Sequence, residues 1–174
     1  MVEIALAENG RVGVVVPHGV LFRGGSEGLI RQKLIEENLL DAIIGLPSNL
    51  FFGTGIPAAI LLFRKDRTNT DVLFVDASSE FEDIRNQNRL TADHINKVVS
   101  TYQGRQEIAK YSHLADFAEL ESNEFNLNIP RYVDTYEEEK KVDVEKVQQD
   151  LECLTIDLTK VQAKMASHLK ELGI

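Results

Sequence analysis

Two adjacent phenylalanines, Phe51 and Phe52, stand on a loop that leads into an apolar run. The stretch 45–63, GLPSNLFFGTGIPAAILLF, reads as loop then strand. Gly45, Pro47, Ser48 and Asn49 break the chain, and Gly53 and Gly55 allow a tight turn. Ile56 to Phe63 is almost unbroken hydrophobe, which suits a strand buried on both faces. Aromatic rings are mostly packed, so the ordinary expectation is that both rings plug the core. The alternative is that one of them is held at the strand edge. His18 is the other residue of this kind. Val12 to Val16 form a strand ending at Pro17, and Pro17-His18-Gly19 follows its C-terminal end, where ligands bind in open α/β sheets. A single histidine there serves a ligand or makes a structural hydrogen bond.

Much chemistry is missing. Cys153 is the only cysteine, which excludes an intrachain disulfide and a cysteine-based zinc site. His18, His94, His113 and His168 have no metal-ligand spacing, so no metal ligand is assigned. No strand is followed by a G-x-G loop that could hold a cofactor, and the RGGSEG run at 23–28 lacks the lysine of a phosphate loop. Pro17, Pro47, Pro57 and Pro130 are not adjacent to one another. No Ser/His/Asp order stands out, and no catalytic residue is assigned.

The elements that would position these residues follow from the patterning. Residues 2–8 read as a helix end, stopped by Asn9-Gly10. Ser26 reads as the N-cap of a helix running to about Glu37. Leu39 to Ile44 is a second strand. Strand, helix and strand in that order suggest a mostly parallel α/β sheet, although the short 45–55 link lets 39–44 and 56–63 pair as an antiparallel hairpin. Residues 70–76 form a further strand and a second hairpin with 56–63. Residues 78–90 read as an extended loop. Thr91 caps a helix stopped by Gly104. A short strand at 113–117, a helical turn near 117–122 and an extended link at 126–132 complete this part, and Asp76 reads as a turn former.

After Tyr136 the composition changes. Apolar residues recur at Val144, Val147, Leu151, Leu154, Leu158, Val161, Met165 and, past the polar His168, Leu172, alternating three and four apart. That is a helical seam suited to a partner helix. Acid leads and lysine trails along it, as the helix dipole favours. Val147, Leu151, Leu154, Leu158, Val161 and Met165 are the expected partner-binding residues. The organisation is therefore an α/β part over 1–136 and a long amphipathic helix over 137–174.

The chain has 174 residues and 43% hydrophobic composition, enough for one domain with a real core. Its net charge of −9 argues against binding nucleic acid unaided. Between Arg11 and Arg67, however, seven basic residues face five acidic ones. No run approaches the ~20 apolar residues of a membrane span. The start MVEIALAENG does not read as a signal peptide, so a cytoplasmic setting is expected.

Three runs carry a family resemblance. GRVGVVVPHGVLFRGG, then IRQKLIEENLLDAIIGLPSNLFFGTGIPAAILLFRK with DVLFVDAS, then Asn-Leu-Asn-Ile-Pro-Arg-Tyr at 126–132 together resemble the C-terminal half of the modification (methyltransferase) subunit of type I restriction-modification systems. These are adenine-N6 DNA methylases. The likeness covers roughly residues 4 to 135. It implies the C-terminal part of a Rossmann-like sheet that uses S-adenosylmethionine in the intact subunit. The family's cofactor glycines and its Asn-Pro-Pro-aromatic motif do not occur in this chain, so the chain alone is expected to bind no cofactor and transfer no methyl group. Such enzymes extrude the target base and hold it against aromatic faces. The resemblance places that role on Phe51, with Phe52 as second choice and core packing as the more ordinary role of Phe52. It adds His18 and Arg23 as target-base or DNA-binding residues. It also implies DNA, a specificity subunit and a restriction subunit as partners, the specificity subunit docking on the terminal helix. The rival is a non-enzymatic α/β interaction module that pairs through that helix.

Overall fold

The structure, a computed structural model, describes residues 9–85, 87–135 and 144–171. Strand β1 (Arg11–Pro17) runs into a 3-10 turn at His18–Leu21 and then helix α1 (Ser26–Glu36). Strands β2 (Leu40–Gly45), β3 (Ala58–Arg64) and β4 (Val72–Asp76) follow. A small hairpin, β5 (Glu82–Ile84) and β6 (Gln87–Arg89), precedes helix α2 (Ala92–Gly104). Strand β7 (Ser112–Ala115), helix α3 (Phe117–Ser122) and a 3-10 turn at Ile129–Arg131 come next. Helix α4 (Val144–Glu171) is the last element. The chain divides into two compact units, Met1–Tyr136 and Glu137–Ile174.

The main sheet has the order β1-β3-β2-β4-β7. The antiparallel pairing of β2 with β3 agrees with the expected 39–44/56–63 hairpin. The expectation of a mostly parallel sheet does not hold: only β2 and β4 run parallel, and the other three pairings are antiparallel. Nor do β3 and β4 form a hairpin, because β2 lies between them. The reason is tertiary. Arg67 on the β3–β4 link donates to the carbonyls of Leu40 and Asp71, and the Asn38 amide donates to the Asn69 carbonyl at 3.0 Å. These bonds steer the link past the start of β2 and onto its far edge. As a result β2, not β3, is the strand buried along its whole length.

Alternation along the strands builds two cores. Ile43, Phe74, Leu21, Ile35, Leu120 and Ile129 pack on one face. Ala42, Ile44, Leu73, Val75 and Tyr111 pack on the other, against Val98 and Tyr102 of α2. Each such aliphatic or aromatic side chain contributes about 1.5–3 kcal/mol on burial.

Thr91 caps α2 in a reciprocal capping box with His94. The left-handed residue that ends α2 is Arg105 (φ 43°), not Gly104. Ser26 does not cap α1: Gly25 holds the N-cap with φ 66° and there is no side-chain cap. Residues 78–90 are not simply a loop, since they contain the β5–β6 hairpin. The 126–132 link is not extended. Residues 129–131 form a 3-10 turn in which Ile129 is buried, and Tyr132 stacks on Phe74 at 3.8 Å between ring centres. The expected helix end at 2–8 lies outside the described residues.

One buried charge organises the second face. Asp41 sits at a register shift between Leu40 and Ala42 and is fully buried. Its carboxylate accepts from the Tyr102 hydroxyl at 2.6 Å and from Arg105 Nη1 at 3.0 Å. Arg67 Nε lies 3.3 Å away as an ion pair without hydrogen-bond alignment, and Arg64 Nη1 lies 3.9 Å away. Arg105 also donates to the Asp71 carboxylate at 2.9 Å. His113 is structural, as His94 is: it bridges Glu107 at 2.7 Å and Glu119 at 2.9 Å.

Truncating Asp41 to alanine leaves this cluster of guanidinium groups without its shared anion. Asp41→Ala is expected to lower stability by about 3–5 kcal/mol, the range for breaking a buried ion pair, as read by urea denaturation.

Candidate functional site at the end of β1

The register of the sheet brings four strand ends to one edge. Pro17 of β1 pairs with Ala58 of β3, and Gly45 of β2 pairs with both Ala59 and Asp76. The turn at His18–Leu21 and the 46–57 loop leave from this edge.

The turn is fixed from below. Leu21 is fully buried, and its carbonyl accepts from Leu127 N at 2.9 Å. Arg31 of α1, itself buried, donates to the carbonyls of Val20 at 2.8 Å, Arg23 at 2.7 Å and Phe125 at 3.3 Å. Sequence reading missed this arginine. Its only local signal is a charge on the helix beside apolar positions. His18 is half-buried, with its N–H donating to Pro57 O at 3.3 Å. Its Nε2 is buried and has no hydrogen-bond partner. Burial pushes its pKa below 6.5, against a backbone hydrogen bond at Ala58 and the charge of Asp76, which pull the other way. The lowered pKa favours the neutral ring at pH 7. Asp76 is the turn former that was expected, accepting from Ser78 N at 2.9 Å, and it also acts electrostatically on His18. Arg23 is exposed and pairs with Glu27 at 3.8 Å. Its guanidinium covers Gly19, where an added Cβ would meet it at 2.8 Å.

The 46–57 loop is anchored at both ends and free at its tip. Leu46 and Pro47 are buried, and Leu46 N donates to Ala58 O at 2.9 Å. A Cβ at Gly45 would lie 2.7 Å from Ile129 Cδ1, so a side chain there would displace the buried Ile129. Asn49 (φ 55°) and Gly53 (φ 76°) adopt left-handed conformations that reverse the chain. The reversal puts Phe52 at the tip, 93% exposed, which overturns the expectation that this ring packs in the core. Phe51 is 42% exposed. With Val15, Pro17, Thr54, Ile56 and Pro57 it lines an apolar cavity of about 230 Å³.

His18, Arg23, Phe51 and Phe52 thus lie on one side of the sheet, on two neighbouring segments. Phe51 lines the cavity; His18, Arg23 and Phe52 are not among its walls. What the cavity offers is an apolar slot with one aromatic face, which suits a flat heterocycle. Among the described residues no group of His, Cys, Asp or Glu could hold a metal ion. On the separate C-terminal unit, Leu151, Leu154, Leu158, Val161 and Met165 of α4 are 57% to 70% exposed. Val147 belongs to the same helix, with its side chain outside the described residues. Among the described residues no helix is long and apolar enough to cross a membrane.

The chain is similar to several known proteins. It is 37% identical over 142 residues to the methylase subunit of the type I restriction enzyme MjaVII of Methanocaldococcus jannaschii, covering 78% of this chain and 25% of that protein. The methylase subunit of the MpnII enzyme of Mycoplasma pneumoniae is 28% identical over 170 residues, covering 97% of this chain and 31% of the relative. The crystal structure of a type I restriction-modification methyltransferase subunit from Streptococcus thermophilus superposes with a TM-score of 0.72 at 53% identity, over 73% of this chain and 27% of that one. A structure described for type I complex assembly shares the fold, with a TM-score of 0.57 at 16% identity. The chain spans between a quarter and a third of the length of these curated relatives. The N-6 DNA methylase family matches residues 1–141, most of the sequence, and the chain belongs to that family.

Proposed function

We propose that this chain forms the C-terminal portion of a type I adenine-N6 DNA methyltransferase subunit and supplies one wall of its target-base pocket. The observation that carries this is the loop geometry: Phe51 faces an apolar cavity at the sheet edge while the loop's ends are fixed in the core. An extruded adenine needs such an aromatic face. His18, neutral and with an unpartnered Nε2, adds a polar contact at the same edge. Arg23, exposed beside it, is placed to meet a DNA phosphate, and Phe52 at the tip reaches outward toward the duplex.

The sheet supports the same reading. β1 is an edge strand with exposed Val14 and Val15. An apolar open edge is a template for another strand, and in the intact subunit the rest of a Rossmann-like sheet would pair there. S-adenosylmethionine does not fit the residues of this chain. The G-x-G run Gly53-Thr54-Gly55 sits on the exposed part of the 46–57 loop and leads into strand β3, not into a helix, and the space beside Gly45 at the end of β2 is taken by the Ile129 side chain. In the intact subunit the cofactor would be held by the remaining part of the protein, and this chain alone would transfer nothing. The exposed seam of α4 is the proposed docking face for the specificity subunit, through which the restriction subunit and DNA join the cytoplasmic complex.

Two results test this. In the intact methylase, Phe51→Ala is expected to cut the methylation rate about 5- to 150-fold, the equivalent of ~1–3 kcal/mol of base stacking, in a tritiated methyl-transfer assay. Unchanged transfer contradicts the pocket. Deleting residues 137–174 is expected to abolish co-purification with the specificity subunit, and full-strength binding by the truncated protein would remove α4 from the account.

A further inference from the structure

Three consecutive carbonyls of the Phe51 loop are taken by one strand of the β5–β6 hairpin. Ser48 O accepts from Asn88 Nδ2 at 2.9 Å, Asn49 O from Asn88 N at 2.9 Å, and Leu50 O from Gln87 Nε2 at 2.6 Å. These are the residues immediately before Phe51. Asn49 is in a left-handed conformation, and residues 51–56 are all exposed. Beyond Phe51 its internal bonds are a 3.5 Å turn from Thr54 N to Phe51 O and the 3.1 Å bond from Ile56 N to Thr54 Oγ1.

The hairpin lies far from the loop in sequence, Gln87 standing 37 positions after Leu50 and Asn88 40 positions after Ser48. Its strands have three residues each, and an isolated two-stranded hairpin of that size is marginal in water. Loop and hairpin therefore hold each other. Between them lies a space of about 270 Å³ lined by Leu50, Ile84, Gln87, Asn88, Arg89 and Leu90. With the side-chain bonds removed, that space gives the 48–50 backbone somewhere to move.

From this clamp we infer that Asn88 and Gln87 are positioning residues that hold Phe51 at the cavity for the extruded base, which rests on the pocket reading above. They touch neither base nor cofactor. They act by fixing the three peptide groups from which the Phe51 ring projects. Losing two side-chain donors lets the loop open without disturbing either hydrophobic core, because Gln87 and Asn88 belong to neither.

The test uses the intact methylase assembled with its specificity subunit, with DNA carrying 2-aminopurine at the target adenine. Four proteins are compared: wild type, the Gln87→Ala/Asn88→Ala double variant, Phe51→Ala, and Asp83→Ala as a hairpin control that leaves the three carbonyl bonds intact. Hydrogen exchange of peptides spanning 48–55 reads the clamp directly. The double variant is expected to exchange there about tenfold faster or more, as the loss of two hydrogen bonds implies. Its 2-aminopurine signal should change in the same sense as that of Phe51→Ala, with kcat lowered and DNA affinity kept. Asp83→Ala should behave as wild type. Unchanged exchange in the double variant overturns the clamp. Faster exchange with a wild-type 2-aminopurine signal overturns its positioning role, provided Phe51→Ala alters that signal. A wild-type signal from Phe51→Ala itself is a failure of the pocket reading, while the exchange data still report on the clamp.

Discussion

A fully buried aspartate at a bulge in the central strand sets the arrangement of this fold. Asp41 cannot remain charged in the core without partners, and its partners come from three directions: Arg64 at the end of β3, Arg67 on the β3–β4 link, and Tyr102 with Arg105 at the end of α2. Satisfying it draws the β3–β4 link around the start of β2. That places β4 parallel to β2 on the edge away from β3. It also presses α2 onto the face where Ile44, Leu73 and Val75 lie. Arg105 tolerates its left-handed backbone because its side chain is held by two carboxylates.

The consequences appear at the opposite end of β2. A strand fixed at its start and buried throughout delivers Gly45 to a defined position, against Ile129 and opposite Asp76. The 46–57 loop starts from that point and the His18 turn from its neighbour. The proposed base pocket is therefore built at one end of strands whose order is decided at the other. Ile129 of the 129–131 turn is buried against Gly45, and Tyr132 stacks on Phe74 with its hydroxyl bonded to Asn126 O at 2.7 Å.

Much of this was legible in the residues. The strands at 12–16, 39–44 and 70–76, the Thr91 cap and the loop bearing Phe51 all carry local signals, because hydrophobic runs, caps and glycines act through their neighbours in the chain. What was not legible depends on partners distant in sequence. The direction of β4 follows from Arg67 and Asn38 bonds. The structure of 82–89 follows from carbonyls near residue 49. The 126–132 run alternates polar and apolar residues as a strand would, yet Leu127 and Ile129 are taken up by the core beside Leu21 and Gly45 instead. Phe52 shows the limit of composition-based reasoning: a large ring is usually buried, but a left-handed glycine after it leaves it in solvent. The family likeness pointed to this loop and ranked Phe51 over Phe52, while the exposure of Phe52 follows from a turn that the apolar pattern does not signal.

The most direct measurement is a photo-crosslink in the intact methylase bound to DNA with 5-iodouracil in place of the target adenine. The adduct would be mapped by mass spectrometry. The account predicts crosslinking within residues 46–57, centred on Phe51. An adduct formed at comparable yield but mapping entirely outside that loop would show that the extruded base is held elsewhere, and would contradict the central claim.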